Sequence, residues 1–218
     1  MLQAKLDAWR DDDAIAAVFI EGAGEKAFCA GFDVNPDNPQ VSALVDAVQN
    51  NRREPVGALI RYIRGVTDRF AGLPVPLIAA VNGMAFGGGA ELAARCDIRV
   101  VDPSVVFCFS EVRLGLMPDW GGGVALTRLL GPARAADLIL TTRRVGADEA
   151  CRMGLADRIS GPGAALDDAI SMAVTISQNG PRATRAALSV IRKTPDLPFA
   201  EALDMESDAA AGLIACGE

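Results

Sequence analysis

A short apolar run that passes through a glycine-rich loop into a helical segment occurs twice in this chain, at residues 15–34 and 77–95. The apolar runs at 15–20 and 77–81 are continuous, which is typical of strands that are buried on both faces of a sheet. Further short strands are predicted at 98–101, 105–109 and 156–159. Because these strands alternate with helical patterns, the sequence predicts an α/β layered fold.

Helical patterns lie between the strands and fill the last part of the chain. The spacing of Leu2, Leu6 and Trp9 predicts an N-terminal helix, and 41–70 is predicted to be helical with a break at 55–57. Loops are predicted at 21–33, at 82–86 and at 35–39, the last of them exposed and mobile. Further helices are predicted at 88–95, 124–130, 133–140, 147–153, 164–178, 182–192 and 199–214. A length of 218 residues suits one domain.

The chain contains no histidine, which excludes Ser-His-Asp and Cys-His nucleophile pairs, HExxH zinc sites and histidine general bases. Acid–base chemistry must therefore use carboxylates, lysine, cysteine or Tyr62. The five cysteines are widely spaced and form no CxxC pair, so we expect buried thiols in a reducing cytosol and no metal site.

Charge and hydropathy exclude two further classes of partner. A net charge of -7 argues against a nucleic-acid partner. The longest apolar stretch, 75–86, contains Pro76, Asn82 and Gly83 and is shorter than the roughly 20 residues that a membrane-spanning helix needs. The N-terminus has no targeting pattern, so we expect a cytoplasmic protein without a membrane partner.

The two glycine-rich loops are candidates for binding an anion through the backbone. Cys29-Ala30-Gly31 and the run Phe86-Gly87-Gly88-Gly89 leave N–H groups uncovered where a helix would begin, and two such loops facing one point would form an oxyanion hole. The alternative is that these glycines serve only tight turns and close packing.

Three carboxylates lie in apolar or glycine-rich surroundings. Glu91 follows the glycine run, Glu111 follows an apolar strand, and Asp119 stands beside Trp120. Two carboxylates in one apolar pocket raise the pKa of at least one, which would suit proton transfer. The alternatives are that Glu91 stabilises the start of its own helix and that Asp119 is the N-cap of a helix beginning near Gly121.

Four segments resemble the crotonase superfamily, also called the enoyl-CoA hydratase/isomerase family, in its order and spacing. They are GAGEKAFCAGFDV (22–34), AAVNGMAFGGGAELAARCDIRV (79–100), FSEVRLGLMPDWGGGVALTRLLG (109–131) and AADLILTTRRVGADEACRMGLADRI (135–159). The resemblance covers most of the chain, although it begins after the usual N-terminal strands of the family pattern, which are therefore expected to be missing here.

The resemblance implies an α/β crotonase fold, in which repeated ββα units form a superhelix and a helical C-terminal region assembles trimers, often paired into hexamers. Residues 1–160 would form the crotonase core and 161–218 the helical region. The apolar residues expected at the trimer contact are Leu197, Phe199, Leu203, Leu213 and Ile214.

The resemblance also implies a CoA thioester as substrate, with no separate cofactor. By position in the family motif, the backbone N–H groups of Ala30 and Gly88 would hold the thioester carbonyl. Glu111 would exchange the proton at C2 and Glu91 would hold and activate water, which together hydrate the C2–C3 double bond of a 2-enoyl-CoA. The residues expected to contact CoA or substrate are Lys26, Ala30, Gly31, Phe32, Asp33, Gly88 and Trp120.

Two alternatives to hydration remain open at this point. The pair Pro118-Asp119 resembles the dienoyl-CoA isomerases and 3-hydroxyacyl-CoA hydrolases of the same family, in which an aspartate at this place takes part in catalysis. A non-catalytic crotonase-fold subunit that binds CoA or serves assembly is the second alternative.

Overall fold

Two four-stranded sheets form the centre of the molecule in the computed structural model, which describes residues 2–216. The first sheet has the order β1-β3-β5-β8, all parallel, with the strands Val18–Glu21, Leu77–Val81, Ile98–Val101 and Arg158–Ile159. The second has the order β2-β4-β6-β7, with Ala27–Cys29, Met84–Phe86, Val106–Cys108 and Val145–Gly146. Among the strands of residues 2–216, only β7 runs antiparallel to its neighbour. The predicted α/β class is therefore confirmed.

Ten α-helices surround the sheets in the described part of the chain. They are α1 (Leu2–Arg10), α2 (Pro39–Gln49), α3 (Arg53–Ala71), α4 (Gly88–Ala94), α5 (Gly122–Leu130), α6 (Pro132–Thr141), α7 (Ala147–Met153), α8 (Ala165–Ser177), α9 (Pro181–Lys193) and α10 (Phe199–Cys216). Two short 3₁₀ helices lie at Glu111–Leu114 and Thr194–Asp196. No helix in residues 2–216 is long and apolar enough to span a membrane.

Strand β3 is buried along its whole length because the sheet is covered on both faces. Leu77, Ala79 and Val81 point into the main core between the sheets, whereas Ile78 and Ala80 pack against α8 on the other face. A strand that is covered on both faces has a continuous apolar sequence, and this explains why β3 could be predicted.

Both predicted loops of the strand–loop–helix units contain a short strand that the sequence did not reveal. Strand β2 lies inside the predicted loop 21–33, and β4 lies inside 82–86. Each is only three residues long, which is too short to show the alternation that identifies a half-buried strand. The units are therefore ββα, as the family resemblance implied.

The break in the 41–70 helical region is also placed differently from the prediction. It lies at 50–52, where Asn51 adopts a positive φ of 50°, and not at 55–57. Pro55 instead occupies the first turn of α3, where its missing N–H costs no hydrogen bond. The segment 35–39 is mostly exposed, as predicted, and Asn38 caps α2 by accepting a hydrogen bond from the Gln40 N–H at 3.0 Å.

The predicted burial of the thiols is correct at two positions and wrong at two. Cys96 and Cys108 are buried, and burial raises the pKa of the Cys96 thiol to about 12. Cys29 and Cys151 are only half-buried, because they lie at the end of an edge strand and on the outer helix α7. The side chain of Cys216 lies outside what the structure describes.

Candidate active site

A cavity of about 210 Å³ lies where the loop after β2, the start of α4, the 3₁₀ helix at 111–114 and the loop before α5 meet. Its outer wall is the apolar face of α2 and α3. The site residues predicted from sequence that line it are Ala30, Gly31, Phe32, Gly88, Glu91, Glu111, Asp119 and Trp120. The structure thus brings all three candidate carboxylates and both candidate donor loops together.

The two donor loops meet because β2 and β4 are parallel neighbours, so the loops that follow them leave the sheet at the same end. Gly31 has a φ of +92°, and a Cβ on it would lie 3.0 Å from the backbone nitrogen of Gly88. Only glycine permits this close approach without strain. Because Gly88 is the first residue of α4, its N–H has no acceptor within the helix and is available to a ligand.

Glu91 is 1% exposed and uses its carboxylate to hold the start of α5. Oε2 accepts hydrogen bonds from the N–H groups of Trp120 and Gly122 at 2.9 and 2.8 Å, and Oε1 accepts one from Asp119 at 3.2 Å. Burial raises the pKa of Glu91 to about 7, against the lowering effect of these hydrogen bonds. Glu91 lies in the first turn of α4, where a negative charge complements the helix dipole, but its hydrogen bonds go to the start of α5 and form no capping box on its own helix.

Glu111 opens the 3₁₀ helix, and its carboxylate is buried near that of Glu91. Neither of its carboxylate oxygens has a hydrogen-bond partner among the described residues. A Cβ on Gly87 would lie 3.4 Å from Oε1 of Glu111, which places this carboxylate directly beside the glycine-rich loop. Burial raises the pKa of Glu111 above its ordinary value, because the charged form is poorly solvated there.

Asp119 is half-buried at the cavity and does not cap α5. The N-cap is Gly121, so the alternative in which Asp119 caps this helix is wrong. The carboxylate lines the cavity, and burial raises its pKa. Trp120, the next residue, covers the beginning of α4, because a Cβ on Gly88 would lie 2.7 Å from its indole ring.

Two of the predicted contact residues stand apart from the cavity. Lys26 and Asp33 are exposed, and neither lines it. The Lys26 carbonyl accepts a hydrogen bond from the Met84 N–H at 3.3 Å, and the Asp33 carboxylate accepts one from the Asn35 N–H at 3.0 Å. Asp33 belongs to the loop after β2, whereas Lys26 precedes β2, at the opposite end of that strand.

The sequence analysis did not single out the apolar wall of the cavity. Its members are Val34, Leu44, Val56, Leu59, Ile60, Ile63, Leu114, Leu116 and Met117. In α2 and α3 the only signal was helical spacing, which does not distinguish a face that packs on the core from one that lines a cavity.

Comparison with known proteins gives one consistent result. Residues 1–215 match the family model described as enoyl-CoA hydratase/isomerase. The carnitinyl-CoA dehydratase of Escherichia coli strain K12 is 36% identical over 194 residues, which are 89% of this chain and 70% of that protein.

Solved structures of enoyl-CoA hydratases have the same fold. The enzyme from Bacillus anthracis superposes with a TM-score of 0.87 at 35% identity, covering 98% of this chain and 79% of that one. The enzyme from Polaromonas sp. JS666 gives 0.82 at 31% identity, covering 96% and 78%. These matches confirm the crotonase fold and favour an enzyme over the non-catalytic alternative. The chain therefore belongs to the crotonase superfamily, the enoyl-CoA hydratase/isomerase family, and is an enzyme of that family.

Proposed function

We propose that the protein is a hydratase-type lyase that adds water reversibly across the C2–C3 double bond of a 2-enoyl-CoA thioester. The observation that carries this proposal is Glu111, a buried carboxylate without a hydrogen-bond partner, which lies beside the glycine-rich loop at the same cavity as Glu91. The names of the similar proteins, hydratases and a dehydratase, support a reaction that adds or removes water.

In this proposal the thioester carbonyl accepts hydrogen bonds from the backbone N–H groups of Ala30 and Gly88. As the reaction proceeds, negative charge develops on the carbonyl oxygen and an enolate forms. Fixed backbone donors stabilise that charge, and removal of one such donor typically slows catalysis by about 10²- to 10³-fold.

The two glutamates divide the proton transfers. The water oxygen bonds to C3 while Glu91 accepts the proton that the water releases, and Glu111 delivers a proton to C2. This requires one ionised and one protonated carboxyl group in the same state of the enzyme. Burial of both groups and the repulsion between them favour that arrangement, because the pKa of each is raised above its ordinary value.

The proposed reaction needs no cofactor, because CoA is part of the substrate. Gly31, Phe32 and Trp120 line the cavity that would take the acyl and pantetheine portions, whereas Lys26 and Asp33 would contact parts of CoA that lie outside it. The apolar wall formed by α2 and α3 would receive the acyl chain.

A second candidate reaction is isomerisation or hydrolysis of an acyl-CoA that uses Asp119. It is favoured by the position of Asp119 at the cavity and by its raised pKa, which suit it to accept or donate a proton. This candidate shares the donor loops with hydration and differs in the product.

The test is steady-state turnover of crotonyl-CoA by the wild type, Glu111→Gln, Asp119→Asn and the matched control Glu149→Gln, which changes a glutamate on α7 outside the cavity. Loss of enoyl absorbance measures hydration, release of free thiol measures hydrolysis, and mass spectrometry identifies the product. We expect hydration by the wild type and the control, and a loss of 100-fold or more in Glu111→Gln. Thiol release or double-bond migration that only Asp119→Asn abolishes would instead establish the second candidate.

A further inference from the structure

Helix α4 and its C-cap hold both backbone polar groups of one residue, Trp120. Glu91 accepts the Trp120 N–H at 2.9 Å, and Arg95, the C-cap residue one turn later, donates from Nη1 to the Trp120 carbonyl at 2.8 Å. Residues four apart on a helix lie on the same face, so the two side chains reach the loop before α5 together. Side chains of α4 and its C-cap thereby bind both the N–H and the carbonyl of Trp120.

Arg95 has further contacts that hold its guanidinium in place. Nη2 donates to Asp68 at 2.7 Å, and Nη1 also lies 3.0 Å from the Thr67 hydroxyl, which in turn lies 3.0 Å from the Trp120 carbonyl. The side chain of Arg95 is 15% exposed. The planar guanidinium presents five donors in a rigid fork, so it holds a carboxylate and a carbonyl in one fixed geometry, which the flexible, compact lysine ammonium does not impose.

The residue that follows Trp120 is adapted to this arginine. Gly121 has a φ of +92°, and a Cβ on it would lie 2.8 Å from Nη1 of Arg95. The left-handed backbone and the lack of a side chain let the loop pass directly over the guanidinium. Arg95 and the loop are thus fitted to each other.

We propose that Arg95 is a positioning residue, which fixes Trp120 and the N–H donors around it and so holds the Glu91 carboxylate in its working orientation. This inference rests on the proposed function for its catalytic consequence, but not for its structural part. Without Arg95, the Trp120 carbonyl loses a charged donor and the loop can withdraw from Glu91. The loss of those N–H donors would favour the protonated form of Glu91.

The variants are Arg95→Met, which keeps the bulk of the side chain, Arg95→Lys, which keeps its charge, and Thr67→Val, which removes the second donor near the Trp120 carbonyl. The matched control is Arg64→Met, because Arg64 also binds Asp68, at 3.0 Å through Nε, but its side chain has no bond to Trp120. Each is made in the wild type for kinetics and in a Trp9→Phe background for fluorescence, where Trp120 is the remaining tryptophan.

We expect Arg95→Met to lower kcat for crotonyl-CoA hydration about 10- to 100-fold with KM changed less than threefold, and to move the acid limb of the kcat pH profile to higher pH. Arg95→Lys should retain more of kcat than Arg95→Met does. Thr67→Val should lower kcat less than Arg95→Met, and Arg64→Met should have the kcat of the wild type. Trp120 emission should shift to longer wavelength and be quenched more by acrylamide in Arg95→Met but not in Arg64→Met.

The two readouts separate failure of this inference from failure of the proposed function. If the wild type hydrates nothing, the proposed function is wrong, and the fluorescence comparison still tests whether Arg95 holds Trp120. Unchanged quenching in both Arg95 variants would overturn the inference whatever the kinetics show. It would equally be overturned if Arg64→Met lost as much kcat as Arg95→Met, since the shared Asp68 ion pair would then be the cause.

Discussion

Glu91 and Glu111 lie at one cavity but differ in what their carboxylates contact. Glu91 accepts three backbone hydrogen bonds, whereas Glu111 accepts none among the described residues. Their neighbours in sequence indicated only that neither lies on a solvated surface, and the expectation that both serve one site came from the family resemblance. The sequence did not predict that Glu91 holds the start of α5, because that contact joins residues about thirty positions apart and depends on how α4 packs against α5.

The same Glu→Gln change should therefore have opposite effects on stability at the two positions. At pH 8, Glu111→Gln should raise the free energy of unfolding by about 1 kcal/mol, because it removes a buried charge that has no hydrogen-bond partner among the described residues. Glu91→Gln should lower it by about 1–3 kcal/mol, because an amide cannot accept all three N–H groups. Thermal unfolding at fixed protein concentration measures both, and a destabilised Glu111→Gln would contradict the prediction.

The increase in the free energy of unfolding that Glu111→Gln produces should also depend on pH. Burial raises the pKa of Glu111 in the folded protein above its ordinary value of 4.5, so the folded state holds the proton more tightly than the unfolded state. Below pH 4.5 both states are protonated and the variant has no advantage. As pH rises through the raised pKa, the wild type loses this stability and the variant does not, so the difference in Tm should grow from about zero to about 2–4 °C.

At the scale of elements, the stacking of the ββα units depends on a contact between two corners. The side chain of Asn82, between β3 and β4, donates to the Gly22 and Gly24 carbonyls at 2.8 Å and accepts from the Gly22 N–H at 3.1 Å. These bonds tie the corner between β1 and β2 to the next unit. The sequence predicted the repeated units and their apolar strands, but β2 and β4 gain their strand geometry from pairing, β2 with β4 and β4 also with β6.

Asn82→Ala should consequently destabilise the protein by about 2 kcal/mol, because it removes the Asn82 partner of both the N–H and the carbonyl of the buried Gly22. The control is Asn50→Ala, whose amide bonds remain within the exposed end of α2 and should cost about 0.5 kcal/mol or less. Chemical denaturation compares the two variants. Equal losses would show that the corner contact adds nothing beyond an exposed side-chain bond.

At the scale of the whole molecule, the helical C-terminal region leaves apolar side chains uncovered. Phe199 and Ile214 on α10 are 79% and 81% exposed, and Leu203 between them is 45% exposed, whereas Leu197 and Leu213 are half-buried. Exposed apolar side chains of this size along one helix indicate a surface that binds another protein. The family resemblance implies a second and third copy of this chain as that partner.

Sedimentation of the wild type at micromolar concentration should therefore give a mass near 68 kDa, three times the 22.7 kDa of the chain, or twice that for a hexamer. A double variant, Phe199→Asp with Ile214→Asp, should dissociate to the monomer while circular dichroism stays unchanged, because two charges cannot be buried at such a contact without partners. Leu140→Asp provides the control, since Leu140 is a similarly exposed residue on α6 and lies outside the C-terminal region. A wild type that sediments near 23 kDa would rule out the trimer, and equal dissociation by the control would move the contact away from α10.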